Sequence, residues 1–192
     1  MTVRLLGLLL TTTLLFSSQV RSESAGSPSW LSQVDELLDS QRLGLPTIIT
    51  LTDITEQQAL NISLKHSAAP EMPLSVDDNT LIVWRSKDIP TAKSQTAQSR
   101  KEWLNVAAYR EQQWHLLMSI VIHDYSEKYG GISYLDQLQL THDRNNLYPI
   151  IGITVTSLPA DGDRDFRPGP PVMQLYRFDD DASEYLPIDS LP

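Results

Sequence analysis

The stretch from Ser94 to Tyr129 constrains the fold most, because it runs for 36 residues without a glycine or a proline and then meets Gly130-Gly131. A chain with no breaker and a glycine stop predicts one long helix there, or two with a kink. Trp103, Ala107, Trp114, Leu117, Val121 and Tyr125 fall near three- and four-residue spacing. The second half (Leu116, Leu117, Met118, Ile120, Val121, Ile122) is apolar on nearly every helical face. A helix apolar all round is a buried one, so this segment reads as the central core element.

The remaining elements follow from local pattern. Ser29 caps a helix starting at Trp30, with Leu31, Val34, Leu37 and Leu38 at helical spacing; Gly44 and Pro46 stop it. Thr47–Thr52 is almost wholly β-branched and reads as a strand. Asp53 or Thr55 caps a second helix running through Glu56 to about Lys65, although Leu60–Leu64 also alternates as a strand would. Residues 67–79 read as a loop, and Thr80–Trp84 as a strand. Tyr134–Leu140 alternates weakly, His142–Asn146 is a turn, and Tyr148–Leu158 is the best strand in the chain. Pro159–Pro171 is a Gly/Pro/Asp loop, and Val172–Phe178 alternates. The predicted class is α+β: a mixed sheet of about four strands packed by helices, including one long central helix. From Thr47 on, the order of elements resembles the core of a thioredoxin-like domain. The resemblance is one of order alone and implies no redox activity, since the chain has no cysteine.

The opening of the chain points to export. Arg4 precedes Leu5–Phe16, twelve residues without a charge. A membrane-spanning helix needs about 20 apolar residues, whereas a signal peptide uses about 7–15. Residues 1–22 therefore read as a signal peptide cleaved after Ser22, or alternatively after Ala25, with 23–29 a flexible start. The globular domain is expected over 30–178 and an acidic tail over 179–192. No later stretch is long and apolar enough for a transmembrane helix. Residues 1–22 carry Arg4 and Arg21 and no acid, so their removal takes the formal charge from −9 to −11. Such a balance opposes nucleic acid and anionic membranes and favours cationic partners. The lack of cysteine excludes thiol chemistry, thiolate zinc sites and iron–sulfur centres.

The most specific candidate site is Asp161-Gly162-Asp163-Arg164-Asp165, whose alternating carboxylates suit a hard cation such as calcium. The EF-hand pattern is broken, because Phe166 and Val172 stand where glycine and glutamate are required. Asp179, Asp180 and Asp181 are further ligands if the fold returns them to this loop. On the long helix, Glu111 with His115 and His123 with Glu127 share faces at four-residue spacing, but one helix alone cannot close a metal site. Ser133 or Ser157 with His142 and Asp143 allows a nucleophile–base–acid drawing, without the G-x-S-x-G elbow that would support it. His66 is a further loop histidine. Trp30, Trp84, Trp103 and Trp114 read as core and core edge. Arg167–Pro171 reads as a stiff loop brace. With no assembled chemistry, the expected function is that of an exported, non-enzymatic protein binding a protein or other component of a bacterial envelope, without a cofactor. The alternative is a hydrolase using acidic residues or a divalent cation at Asp161, Asp163 and Asp165.

Overall fold

The computed structural model describes residues 28–64, 73, 75–88, 101–126, 128–161 and 167–189. Residues 1–22, expected to be a signal peptide, lie outside them, as do His66, Glu127, Asp163 and Asp165. Two short helices and nine strands make up the described part: α1 (Ser29–Glu36), β1 (Ser40–Thr50), α2 (Leu51–Gln57), β2 (Ala59–Ser63), β3 (Thr80–Asp88), β4 (Glu102–Arg110), β5 (Gln113–Ser126), β6 (Gly130–Thr141), β7 (Ile150–Leu158), β8 (Val172–Asp179) and β9 (Glu184–Ile188). All pairings are antiparallel, in the order β1-β3-β4-β5-β6-β7-β8-β9, with β2 added to β6. The molecule is mostly β. The expectation of an α+β domain with about four mixed strands and a thioredoxin-like order is overturned.

The long central helix does not exist. Its described residues form the β4–β5 hairpin, folded back at Glu111-Gln112. Both turn residues have positive φ, 53° and 66°, as a two-residue hairpin turn requires. Glycine or asparagine usually fills such positions, so Glu and Gln there concealed the turn. The all-round apolar pattern has a different cause. Ala107 on β4 and Trp114 on β5 pack beneath α1, while Leu104, Val106, Leu117, Met118 and Ile122 pack on the opposite face. Strands buried on both faces read as continuous apolar runs. A register shift between Val106 and Ala107 leaves Leu117 bulged, which puts Leu117 and its neighbour Met118 in the same core. Gly130-Gly131 does not end a helix but begins β6 after the hairpin turn. Gly130 has φ 69°, and a Cβ on Gly131 would stand 1.8 Å from the carbonyl oxygen of Asp124.

The sheet curls because β5 and β6 share only a short ladder, His123–Ser126 against Gly130–Ser133. Beyond it the strands part. β5 continues along β4, whereas β6 takes β2 on the edge it has vacated. β9 returns against β5. The concave side holds the main core, with contributions from every strand between β1 and β9, including Val83, Leu104, Ile122, Leu138, Ile151, Phe178 and Tyr185. The convex side of β3–β5 is sealed by α1: Trp30, Leu31 and Val34 pack on Ile82, Trp84, Ala107 and Trp114. The Trp114 indole N–H donates to the Trp30 carbonyl at 3.2 Å, and the two rings lie 5.8 Å apart. Beside this cluster Asn105, fully buried, donates to Ser86 Oγ at 2.9 Å and accepts from Ser119 Oγ at 2.9 Å. Its amide is thereby satisfied in a site that would penalise an unpaired one.

Candidate functional site: the outward face of β8 and β9

β8 and β9 present their two faces very differently. Phe178 and Tyr185, directly opposite each other, point into the core with rings 5.7 Å apart. Side chains alternate along a strand, so Arg177 and Leu186, Leu175 and Ile188, and Asp179 and Glu184 pair on the outward face. Met173 extends that row two residues on from Leu175. Met173 is 53% exposed and Leu186 38%, while Leu175 and Ile188 are half-buried. Gly152 lies opposite Leu175 on β7, and Leu175 Cδ2 comes within 3.4 Å of where a Cβ on Gly152 would be. The missing side chain lets Leu175 lie flat on the sheet. No helix contact to β7, β8 or β9 occurs among the described residues at the level that joins α1 to β5. Among the described residues the outward face of β8–β9 thus lacks the cover that α1 gives to β3–β5.

At one end of this apolar row lies a groove of about 450 Å³, lined by Asn145, Asn146, Arg177, Phe178, Asp179, Asp180 and Asp181. Its wall is fixed by an ion pair whose carboxylate is buried and whose guanidinium is partly exposed. Arg177 Nε and Nη2 donate to the two carboxylate oxygens of Asp143 at 2.6 and 3.0 Å, and the Asn145 backbone N–H adds a third bond at 3.0 Å. The Asp143 side chain is 1% exposed. Burial alone would raise its pKa, but the bonds from Arg177 and Asn145, with the positive charge of Arg177 and the contribution of His142, outweigh burial and hold it below the ordinary carboxylate value. The same bond and charge raise the pKa of Arg177. Asn146 ties the loop to β8 by donating to the Phe178 carbonyl at 2.8 Å. Asp179 Oδ1 accepts from the Ala182 N–H at 2.8 Å and so shapes the β8–β9 turn. Arg144 and Leu147 stand exposed beside the groove. Behind it, Tyr148 is 2% exposed and edge-on to Phe178, with the Arg110 guanidinium 5.7 Å from its ring centre. Burial raises the Tyr148 pKa; Arg110 opposes the rise, and Asp180 and Asp78 add to it.

Of the three carboxylates expected to hold a cation, Asp161 alone falls among the described residues. Asp161 Oδ1 accepts from the Tyr125 hydroxyl at 2.6 Å. Asp163 and Asp165 lie outside the described residues. Val172 at the start of β8 pairs with Val155, and Asp179 closes the far end of that strand. At about 3.4 Å per residue β8 spans roughly 24 Å, so Asp179 stands well away from the end of β7 that leads to Asp161. Among the described residues no group of three His, Asp or Glu side chains is placed to hold a metal. His115 and His123 stand on one strand, not on a helix. His123 Nδ1 lies 3.4 Å from Ser133 Oγ, whereas Asp143 gives both its oxygens to Arg177. The drawing of Ser133 or Ser157 with His142 and Asp143 is therefore not assembled. Trp30, Trp84 and Trp114 are buried. In the loop before β8, Gly169 N–H donates to the Ser157 carbonyl at 2.8 Å, and Thr156 Oγ1 donates to the Gly169 carbonyl at 2.6 Å.

Sequence reasoning missed this face because the end of the chain reads as an acidic tail. The available signal was Glu184-Tyr185-Leu186-Pro187-Ile188, an apolar pair at alternate positions behind an Asp/Ser turn. Comparison of the chain with protein-family models, with curated proteins and with solved structures gives no match.

Proposed function

We propose that this is an exported, non-enzymatic protein of the cell envelope that binds another envelope component through the outward face of β8 and β9. The observation that carries the binding reading is the apolar row Met173, Leu175, Leu186, Ile188, left open at the surface and continuous with the groove at Asp179–Asp181. Most elements of the sheet bury their apolar side chains, and an open row rimmed by polar groups is what an interaction site requires. The uncharged run Leu5–Phe16 behind Arg4 supports export. The titratable groups nearest the groove support a binding role over catalysis: Asp143 and Arg177 satisfy each other, and Asp179 holds the turn.

The test is a pull-down with the mature chain from its native envelope extract, together with activity and thermal-shift assays with and without millimolar calcium. Capture of a defined component, with no turnover and no calcium-dependent rise in Tm, is the expected result. Turnover, or a Tm rise with calcium, would favour the cation-dependent hydrolase, since a ligand selective for the native state must stabilise it.

A further inference from the structure

We infer that the partner presents a basic, apolar, extended segment of polypeptide, which lies along the outward face of β8 and β9. The inference rests on the binding reading above and adds the chemistry of the occupant. Asp179 and Glu184 are direct cross-strand partners on the same face as Leu186. Like charges facing each other across a strand pair are destabilising, so the free protein holds an unfavourable pair here. Asp180 and Asp181 follow in the turn and line the groove. Arg177, the cation within that lining, is already engaged by both oxygens of Asp143. The face therefore presents a surplus of carboxylate beside exposed apolar side chains, and a cationic group arriving with apolar neighbours satisfies both. The spacing favours an extended segment: Met173 and Leu175, and likewise Leu186 and Ile188, stand two residues apart, the repeat with which a strand places successive side chains on one face. The formal charge of −11 on residues 23–192 opposes a second copy of the same chain as the occupant.

The experiment uses three synthetic ten-residue peptides, of alternating Lys-Val, Lys-Ser and Glu-Val, with the full mature protein. Binding is read by fluorescence anisotropy and mapped by amide hydrogen exchange. The Lys-Val peptide should bind, slow exchange within residues 172–188, and bind at least about tenfold more tightly than either other peptide. The double variants M173S/L186S and D181N/E184Q, all at exposed positions, should each weaken it by about tenfold, while thermal melts confirm the fold. Equal affinity for Lys-Val and Lys-Ser, protection outside 172–188, no binding, or a dimer of the mature chain lost in M173S/L186S would each overturn the inference. Two outcomes separate it from the broader reading. If wild type and M173S/L186S capture the same envelope component equally well, the protein is a binder and the face is wrong. If the peptide binds at 172–188 but no envelope component is captured, the face is right and the envelope role is wrong.

Discussion

Replacing Glu111-Gln112 by Asn-Gly should stabilise the protein. Both residues are exposed and both hold positive φ, so the substitution touches backbone preference and little else. A left-handed conformation costs an ordinary L residue about 1–2 kcal/mol, and glycine removes that cost at position 112. The unfolded chain recovers about 0.5–1 kcal/mol of it through the freedom of glycine. Asparagine tolerates the left-handed region better than glutamate and adds a few tenths at position 111. The net gain is about 1 kcal/mol, which for a domain of this size raises Tm by about 2–4 °C. Were residues 94–129 a helix, the same pair would sit in its interior and cost about 1 kcal/mol or more. The sign of the change therefore decides between the two structures. Reversible thermal or urea unfolding of E111N/Q112G against wild type reads it directly, and a lower Tm would refute the hairpin.

Three further outcomes follow from the same geometry. Spin labels at Glu102 and His123, which face each other across β4 and β5, should report the short separation of opposed strand positions, with Cα atoms about 4.5–5.5 Å apart, whereas a continuous helix would hold them about 31 Å apart. Trp114→Ala should destabilise by about 3–5 kcal/mol and speed amide exchange in α1, because Trp114 packs on Trp30 and donates to its carbonyl; an unchanged Tm would show that α1 is not held there. The Asp143 pKa is depressed in the folded state, so its contribution is fully present above the unfolded value of about 3.9 and is lost as pH falls through the lower folded value. The stability gap between wild type and D143N should be level near neutral pH and close in acid; a gap that widens in acid would contradict the depressed pKa.

How much of this was legible in the sequence depends on the element. Strand positions with turn punctuation were readable: Thr80–Trp84 and Val172–Phe178 fall in β3 and β8, Thr47–Thr52 overlaps β1 up to Thr50, and Tyr148–Leu158 overlaps β7 from Ile150, while the first helix begins at Ser29, one residue before Trp30. The central segment was not, for two physical reasons. Its turn is built from Glu and Gln held at positive φ, and its strands are buried on both faces, which erases the two-residue alternation. The second helix was half legible, since α2 ends at Gln57 and the alternating Leu60–Ser63 is strand β2. At the site, Asp143 could be noticed as a turn residue, but its pairing with Arg177 joins positions 34 residues apart and leaves no local trace. Asp179–Asp181 stood out by composition, while the cross-strand placement of Asp179 against Glu184 emerges only once β9 is paired.

Photo-crosslinking in the native cell probes the β8–β9 face itself, with a photoreactive residue placed at Met173 or Leu186 and, as a control, at Thr50, which is exposed on β1. A discrete adduct from positions 173 and 186 in the envelope fraction, and none from position 50, is the expected result. No adduct from 173 or 186, or the same adduct from all three positions, would contradict binding through that face.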